Sequence, residues 1–378
     1  MRILMLDNEF PPLGGGMGTT HEALLKQFAP RAELEIDVIT AALGKESQSE
    51  QFAERIRLWK VPVNNRNLHH SSNRELIAYT LQALPLALKL QRAQPYDFCF
   101  AWSALPAGFI ARMVEWRTGL PYMVWVSGPD IPGFEQRYAR LYPLLWPLLK
   151  TTWRHAKPLI AKCKQEVDMI HACDPNIPVH IIPNGVDLNS FSPGAPVPDD
   201  GPLKLICVAR LIERKGQRHL IQAVQALVAC GMDVTLDLVG TGDALPQYQK
   251  LASDLGIMER VNFAGYVSRQ EIPQWYAAAH VFVLPSYNEG MALAALEALG
   301  AGLPLVLTRT GGTEELAQAG ENGYIFEWGD VDALARHLKR LAQDRELTRK
   351  MARASRARAK RFSWPKIAAE YIELFARM

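Results

Sequence analysis

Short apolar runs alternate with helical patterns along most of the chain. The first run, at residues 2–6, is followed by a Gly/Pro loop and then by a helical pattern from about Thr19 to Phe28. Most later runs are apolar on both faces, which is typical of parallel strands covered by helices. These runs occupy residues 34–40, 96–102, 121–127, 203–210, 233–240, 261–267, 280–286 and 303–308. Helices are predicted between them at 106–119, 216–230, 244–255, 270–278 and 291–301.

A stretch rich in Pro, Gly, Asp and Asn, HIIPNGVDLNSFSPGAPVPDDGP, separates two such series. A chain of 378 residues is also too long for one compact core. We therefore expect two doubly wound α/β domains that face each other across a cleft, with a ligand at the carboxyl ends of the strands. The predicted boundaries are a domain at 1–182, a linker at 183–202, a second domain at 203–362 and a terminal helix at 363–378.

Composition narrows the class of protein. The net charge of +3 argues against a dedicated nucleic-acid binder. The basic stretch 345–361 is expected to form a solvated helix face.

Five scattered cysteines without a CxxC pair fit a reducing compartment. The N-terminal run reaches Asp7 too soon for a signal peptide, and no apolar stretch is long enough to span a membrane. We expect a cytoplasmic protein, at most peripheral on the inner face of the cytoplasmic membrane.

Two acids, Glu289 and Glu297, bracket the predicted start of an alanine-rich helix near Met291. A helix N-terminus presents free N–H groups that bind phosphate. A nucleotide sugar with its diphosphate at this helix tip could place hydroxyls on both acids. The alternatives are that Glu289 caps the helix and that Glu297 is an ordinary surface acid.

Two further features strengthen the nucleotide-sugar hypothesis. Arg210 and Lys215, which follow the strand at 203–209, could neutralise a diphosphate. The alternative for this pair is a solvated charge cluster. The glycines of FPPLGGGMG, including Gly15 and Gly16, would let the backbone approach a ligand closely. As a lone loop, however, this segment could also be a tight turn.

Some residues of interest are better explained by structure. Asp330 and Asp332 form an Asp-x-Asp pair, but an N-cap is the preferred interpretation. His69 and His70 lie in a polar stretch that is predicted to be a loop rather than a site.

Together these motifs resemble the retaining glycosyltransferases of family four, which have the GT-B fold of two Rossmann-like domains. The resemblance covers nearly the whole chain. It is carried by FPPLGGGMG, IIPNGVDLNSFSP, ARLIERKG, VNFAGYV, the segment VLPSYNEGMALAALEALGAGLPLVLTRTGGTEEL with NGYIF, and the terminal FSWPKIAAEYIELF, which is similar to a helix that crosses back to the first domain.

The resemblance implies a role for each candidate residue. Arg210 and Lys215 would hold the donor diphosphate, Glu289 the hydroxyls of the transferred sugar and Glu297 the ribose. The resemblance makes Glu289, Arg210 and Lys215 the catalytic set. No metal or other cofactor is expected, because the cations and the helix N-terminus face the leaving diphosphate. The remaining donor-binding residues would be Gly15, Gly16, Gly290, Met291, Ala292 and Leu293.

The acceptor side is less well defined. The segment VWVSGPDIPGF has Ser127 where the family often has histidine, although Asp130 is retained. The acceptor site is expected near 60–75 and 127–150. The segment 137–157 mixes cations and aromatics with leucines, so it could dock on a membrane; the alternative is a core helix broken by Pro143 and Pro147.

The implied activity is transfer of a sugar from a nucleoside-diphosphate donor to a saccharide or lipid-linked acceptor. A UDP-sugar is preferred and a GDP-sugar is the alternative. The expected setting is synthesis of surface polysaccharide or lipopolysaccharide. Two other hypotheses are a non-catalytic nucleotide-sugar-binding subunit, suggested by Ser127, and a dinucleotide oxidoreductase, for which the chain lacks the fingerprint.

Overall fold

The computed structural model describes residues 1–65, 71–135 and 139–378. His69 and His70 lie outside the described residues, as do Arg137 and Tyr138. The chain divides into two compact units. The first comprises Met1–Pro183 with Trp364–Met378, and the second is Asn184–Ser363. Each is built around a sheet flanked by helices.

The first unit is organised around β1 at the middle of its sheet. The strands run in the order β3-β4-β2-β1-β5-β6-β7-β8, and every pair is parallel except β3 with β4. The strands are β1 (Arg2–Leu6), β2 (Glu35–Ala42), β3 (Gln48–Ala53), β4 (Ile56–Pro62), β5 (Phe98–Ala101), β6 (Tyr122–Trp125), β7 (Leu159–Ala161) and β8 (Val179–Ile181). The helices are α1 (Gly16–Phe28), α2 (Asn73–Ala93), α3 (Phe109–Thr118), α4 (Tyr142–His155), α5 (Lys164–Cys173) and the terminal α13 (Trp364–Phe375).

The helices of the first unit bury apolar side chains against both faces of the sheet. Helices α2–α5 cover one face, and α1 and α13 cover the other. The ring of Phe375 in α13 lies 5.5 Å from that of Phe28 and 5.1 Å from that of Phe98. The terminal helix is therefore part of this unit's core.

The second unit is a parallel sheet of six strands in the order β11-β10-β9-β12-β13-β14. The strands are β9 (Leu203–Val208), β10 (Val234–Val239), β11 (Val261–Gly265), β12 (Val281–Leu284), β13 (Leu305–Thr308) and β14 (Gly323–Phe326). The helices are α6 (Gln217–Ala229), α7 (Leu245–Asp254), α8 (Ile272–Ala278), α9 (Leu293–Gly300), α10 (Thr313–Leu316), α11 (Val331–Gln343) and α12 (Arg345–Ala359). The prediction of two α/β sheets with flanking helices is confirmed.

The basic helix α12 differs from its prediction. Arg356 donates to the carbonyl oxygens of Phe191, at 2.8 Å, and of Leu188, at 3.0 Å, and also bonds the carbonyl of Gly300 at the end of α9. Other arginines bond to backbone carbonyls in the same way: Arg345 to Gly201, Arg349 to Val197 and Arg358 to Glu315. The expectation of a solvated face is therefore wrong for these arginines, because their guanidinium groups pair with carbonyls that lie far away in sequence.

The sequence predicts that segment 137–157 either docks on a membrane or forms a core helix broken by Pro143 and Pro147. In the structure, α4 continues through Pro147, and Pro143 lies in its first turn. Across the described residues, no helix is both long enough and apolar enough to cross a bilayer.

Candidate functional site

The order of strands in the second unit reverses between β9 and β12. From β9 the chain moves outward through β10 to β11, and it then returns to the other side of β9 as β12. In open parallel sheets, ligands bind beyond the carboxyl ends of the strands at such a reversal. The loop that follows β9 carries Arg210 and Lys215, and the loop that follows β12 carries Glu289.

Gly216 brings these two loops into contact. It follows a short turn at Glu213–Lys215 and has a φ of 71°, a left-handed conformation that favours glycine. A Cβ atom at Gly216 would lie 2.0 Å from the carbonyl oxygen of Pro285, so a side chain would push the loops apart. The amide of Tyr287 also donates to the carbonyl of Arg214, at 2.7 Å. The Lys215 side chain is thus held over the β12 loop.

Lys215 and Glu289 form an ion pair at this junction. Their side chains are only 15% and 14% exposed. Burial alone would raise the pKa of Glu289, but the Lys215 ammonium, with help from Ser286 and Arg214, holds it below the ordinary value. Glu289 is therefore a carboxylate at neutral pH. It does not cap α9, whose N-cap residue is Ala292.

Arg210 lies at an exposed position two residues beyond the end of β9. Its backbone carbonyl accepts a hydrogen bond from the Gln217 side chain, at 2.9 Å, which ties the start of the loop to the first turn of α6. The structure thus places both predicted cations on one loop.

The N-terminus of α9 opens next to Glu289. Ala292 makes no side-chain capping bond, and among the described contacts the first-turn amides of Leu293 and Ala294 have no acceptor, whereas the Ala295 amide donates to the Ala292 carbonyl, at 3.1 Å. The Met291 carbonyl accepts from the side chain of Asn184, at 3.2 Å. Asn184 is 5% exposed and belongs to the segment between the two sheets, so sequence reasoning gave it no role in the site.

Glu297 lies in the second turn of α9, and it is not an ordinary surface acid. The helix begins at Leu293, so Glu297 is about 6 Å along the axis at 1.5 Å per residue. Glu297 is partly buried, and its Oε2 atom accepts a hydrogen bond from the hydroxyl of Tyr276, at 2.9 Å. Burial raises the pKa of Glu297 to about 7.

A third loop, after β13, also borders the site. The Thr308 hydroxyl donates to the Ser286 carbonyl, at 2.5 Å, which joins this loop to the β12 loop. Thr310 and Gly311 line a small cavity together with Glu289 and Ala292. The sequence TRTGG belongs to the segment that resembles the family, but the resemblance implies no role for a single residue in it.

In the first unit, the glycine loop after β1 continues directly into α1, which begins at Gly16 rather than near Thr19. A Cβ atom at Gly18 would come within 2.4 Å of the Glu9 carbonyl oxygen, so close packing requires glycine there. At Gly15 a Cβ atom would meet no neighbour within 4 Å, and the Gly15 amide donates to the Glu9 carboxylate, at 3.2 Å. Packing therefore explains Gly18 but does not explain Gly15.

A buried Asp–His pair, which sequence reasoning missed, lies under this loop. Asp7 Oδ2 is 2.7 Å from His21 Nδ1, and both side chains are fully buried. Asp7 also accepts a hydrogen bond from the Glu9 amide, at 2.8 Å. Burial raises the pKa of Asp7 and lowers that of His21 to about 3. The pair links the end of β1 to α1.

Ser127 and Asp130 form a closed hydrogen-bonded turn after β6. Asp130 Oδ2 accepts from the Ser127 amide, at 2.8 Å, and from its hydroxyl, at 2.9 Å. It also accepts from the Ala104 amide, at 2.8 Å, after β5. Asp130 is 5% exposed, and burial raises its pKa in spite of these donors. The carboxyl group therefore joins two loops at the carboxyl edge of the sheet.

Asp330 is the N-cap of α11, and its side chain accepts from the Ala333 amide, at 2.8 Å. This confirms the capping interpretation, and Asp332 lies in the first turn of the same helix.

Comparison with known proteins identifies the family to which this chain belongs. The model for "Glycosyl transferase 4-like domain" matches residues 15–185, and the model for "Glycosyl transferases group 1" matches residues 191–358. A GDP-mannose-dependent alpha-(1-6)-phosphatidylinositol monomannoside mannosyltransferase of Mycolicibacterium smegmatis is 33% identical over 372 residues, which cover 88% of this chain and 87% of the relative. A UDP-Gal:alpha-D-GlcNAc-diphosphoundecaprenol alpha-1,3-galactosyltransferase of Escherichia coli is 25% identical over 346 residues, which cover 85% of this chain and 83% of that relative.

Solved structures show the fold. Sucrose-phosphate synthase from Thermosynechococcus elongatus superposes with a TM-score of 0.82 at 21% identity, and Anabaena HepE in complex with UDP and glucose does so with a TM-score of 0.78 at 22% identity; each comparison covers 100% of both chains. The chain belongs to the group 1 glycosyltransferases and has the GT-B fold.

Proposed function

We propose that the chain transfers a sugar from a nucleoside-diphosphate donor with retention of configuration and without a metal ion. The observation that carries this proposal is the Lys215–Glu289 ion pair beside the open N-terminus of α9. A diphosphate at this position meets a cation, the helix N–H donors and the nearby Arg210. These groups favour the negative charge that develops on the leaving diphosphate.

Glu289 and Glu297 would bind opposite ends of the donor. Glu289, which stays ionised, would accept hydrogen bonds from the hydroxyls of the transferred sugar. Glu297, further along α9, would accept them from the ribose. The proton of the acceptor hydroxyl would pass to a donor phosphate oxygen on the same face of the sugar, so no protein base is required. The parts of Gly15 and Gly16 in donor binding stay predictions.

The donor base is not assigned by the site. The sequence does not separate UDP from GDP donors, and the 33% identical relative is named as GDP-mannose-dependent. A GDP-sugar therefore belongs in the proposal beside a UDP-sugar. The acceptor is proposed to be a saccharide or a lipid-linked glycan, as the names of the relatives suggest. The pathway proposed is synthesis of surface polysaccharide or lipopolysaccharide.

Helix α4 supports the proposal of peripheral membrane contact. Leu144 is 78% exposed and Leu141 is 40% exposed, although both are large apolar side chains. The helix contains Lys150 and Arg154 but no acidic residue, although Arg154 pairs with Asp174 of the neighbouring segment, at 2.8 Å. An amphipathic surface of this kind suits an anionic bilayer, where leucines enter the interface and cations meet headgroups.

The experiment that tests the proposal is a binding panel of UDP, GDP, UDP-glucose and GDP-mannose on the wild type, Arg210→Ala and Lys215→Ala. Hydrogen bonds to charged groups contribute roughly 1.5–3 kcal/mol, so each variant should lose affinity by on the order of tenfold or more. Unchanged nucleotide affinity in both variants would show that Arg210 and Lys215 do not bind the donor. Binding without any turnover would favour the alternative of a non-catalytic nucleotide-sugar-binding subunit.

A further inference from the structure

Tyr276 packs behind the Glu297 carboxylate. Tyr276 is fully buried, at 0% exposure, in the short helix α8. Its hydroxyl lies 2.9 Å from Glu297 Oε2 and 3.2 Å from the carbonyl oxygen of Ala294, one turn earlier in α9. A buried phenol needs a hydrogen-bond partner, and here both of its partners lie on α9.

Neighbouring rings fix the position of this hydroxyl. Phe191 packs edge-on against Tyr276, with ring centroids 5.6 Å apart and planes at 79°. Phe282 of β12 lies 6.1 Å away on the sheet side. The phenol therefore has little freedom to follow a carboxylate that turns away.

The hydrogen bond uses one oxygen of the carboxylate. Among the contacts that the structure describes, Oε1 of Glu297 accepts no hydrogen bond, and the residue keeps partial exposure. The charged and titratable groups that face this pair are the Arg269 guanidinium, from the turn before α8, and the Cys207 thiol of β9, which is buried near the phenol. The Tyr276 hydroxyl thus holds one oxygen of the carboxylate and leaves the other without a protein donor among the described contacts.

We propose that Tyr276 is a positioning residue that aims the Glu297 carboxylate at the two ribose hydroxyls of the donor nucleotide. This inference rests on the proposed function, because it requires a nucleotide at the tip of α9. Tyr276 itself does not touch the donor. By donating to Oε2, it favours the ionised and correctly rotated carboxylate, which can accept from both hydroxyls.

The direction of the pH effect follows from the same contact. Burial raises the pKa of Glu297 to about 7, and the Tyr276 hydroxyl and Arg269 oppose that rise. Ribose recognition should therefore strengthen as the pH rises through about 7. Without the phenol hydroxyl the pKa of Glu297 should rise further, which moves this transition to higher pH.

The test compares ligands that differ only in the ribose hydroxyls. Dissociation constants are measured by calorimetry for UDP and 2′,3′-dideoxy-UDP, and for GDP and its dideoxy analogue. The ratio of the two constants isolates ribose recognition, because phosphate titration is common to both ligands. The variants are Tyr276→Phe, Glu297→Gln and the matched control Tyr324→Phe. Tyr324 is 6% exposed, and its buried hydroxyl has no hydrogen-bond partner among the described residues.

The wild type and Tyr324→Phe are expected to prefer the ribonucleotide by on the order of tenfold or more at about pH 8. Tyr276→Phe should reduce that preference to about threefold or less and shift its pH midpoint upward, and Glu297→Gln should abolish the pH dependence. Phe191→Leu keeps the phenol but removes its packing, so a partial loss is expected there. This variant keeps the inference testable if Tyr276→Phe fails to fold.

The outcomes separate the inference from the function on which it rests. A wild type that binds neither UDP nor GDP would overturn the proposed function, and the inference with it. A wild type that prefers the ribonucleotide while Tyr276→Phe keeps the same preference and pH midpoint would overturn the role of Tyr276 alone.

Discussion

Replacing Lys215 by methionine should destabilise the Asn184–Ser363 unit, because it leaves the Glu289 carboxylate without its partner. Removing one member of a buried ion pair costs about 3–5 kcal/mol. The two side chains keep 15% and 14% exposure, so water relieves part of that cost. We expect a loss of about 2–3 kcal/mol. For a unit of this size, that loss lowers the melting temperature by about 4–12 °C.

Stability should change with pH in opposite directions in the wild type and in Lys215→Met. In the wild type the pKa of Glu289 lies below its ordinary value of 4.5, so this group adds stability above that pH and loses it as the pH falls through the lowered pKa. In Lys215→Met, burial dominates and raises the pKa of Glu289. The variant should therefore lose stability as the pH rises above 4.5, and its deficit should widen toward neutral pH.

The assay is thermal unfolding of the full chain between about pH 4 and pH 8. A double variant, Lys215→Met with Glu289→Gln, removes both charges and should recover most of the loss. The control is Lys250→Met, which breaks an exposed pair with Asp254 and should cost no more than about 1 kcal/mol. Equal stability of Lys215→Met and Lys250→Met at every pH would show that Lys215 does not stabilise the Glu289 carboxylate.

Four other outcomes are expected. Glu289→Ala should lower turnover, measured by steady-state kinetics, and leave the affinity for free nucleotide, measured by calorimetry, nearly intact. Glu297→Ala should lower the affinity for free nucleotide as well. If the two ends of the donor are misassigned, the two variants will exchange these effects. Activity should persist in EDTA; a loss restored by Mn²⁺ would contradict a metal-free reaction. Ser127→Ala should lower the rate by about tenfold or less, because in the proposed mechanism the leaving phosphate takes the proton; a loss of more than about a thousandfold would make Ser127 part of the chemistry. Leu144→Glu should weaken sedimentation with anionic vesicles, whereas Tyr266→Glu, at a residue that is 71% exposed in the other unit, should not; equal effects would argue against docking through α4.

Sequence reasoning identified the elements whose signal is local. The buried strands β1, β9 and β12 appear as apolar runs, and Asp330 caps α11 through an amide three residues away. Edge strand β3 carries mostly exposed polar residues and pairs antiparallel with β4, so no apolar run marks it. Helix α2 contains Pro85, which obscures its helical pattern, although a capping box joins Ser72 and Glu75 at its start.

The candidate site was predictable only in part, for the same reason. Glu289, Lys215 and Glu297 stand in recognisable motifs. The contacts that support them join residues far apart in sequence: Asn184 reaches Met291, and Tyr276 reaches Glu297. Such contacts depend on how helices and loops pack on the sheet, and neither periodicity nor spacing carries that information.

The proposed cleavage of a nucleotide sugar with retention of configuration can be followed by proton NMR of the purified protein with an α-linked donor, UDP-glucose or GDP-mannose, in the absence of acceptor. We expect slow release of free sugar that appears first as the α anomer, before mutarotation, and on the order of tenfold or greater loss of release in Lys215→Ala. First appearance of the β anomer would contradict retention. No sugar release from either donor, with nucleotide still bound, would contradict the assignment as a transferase of these donors.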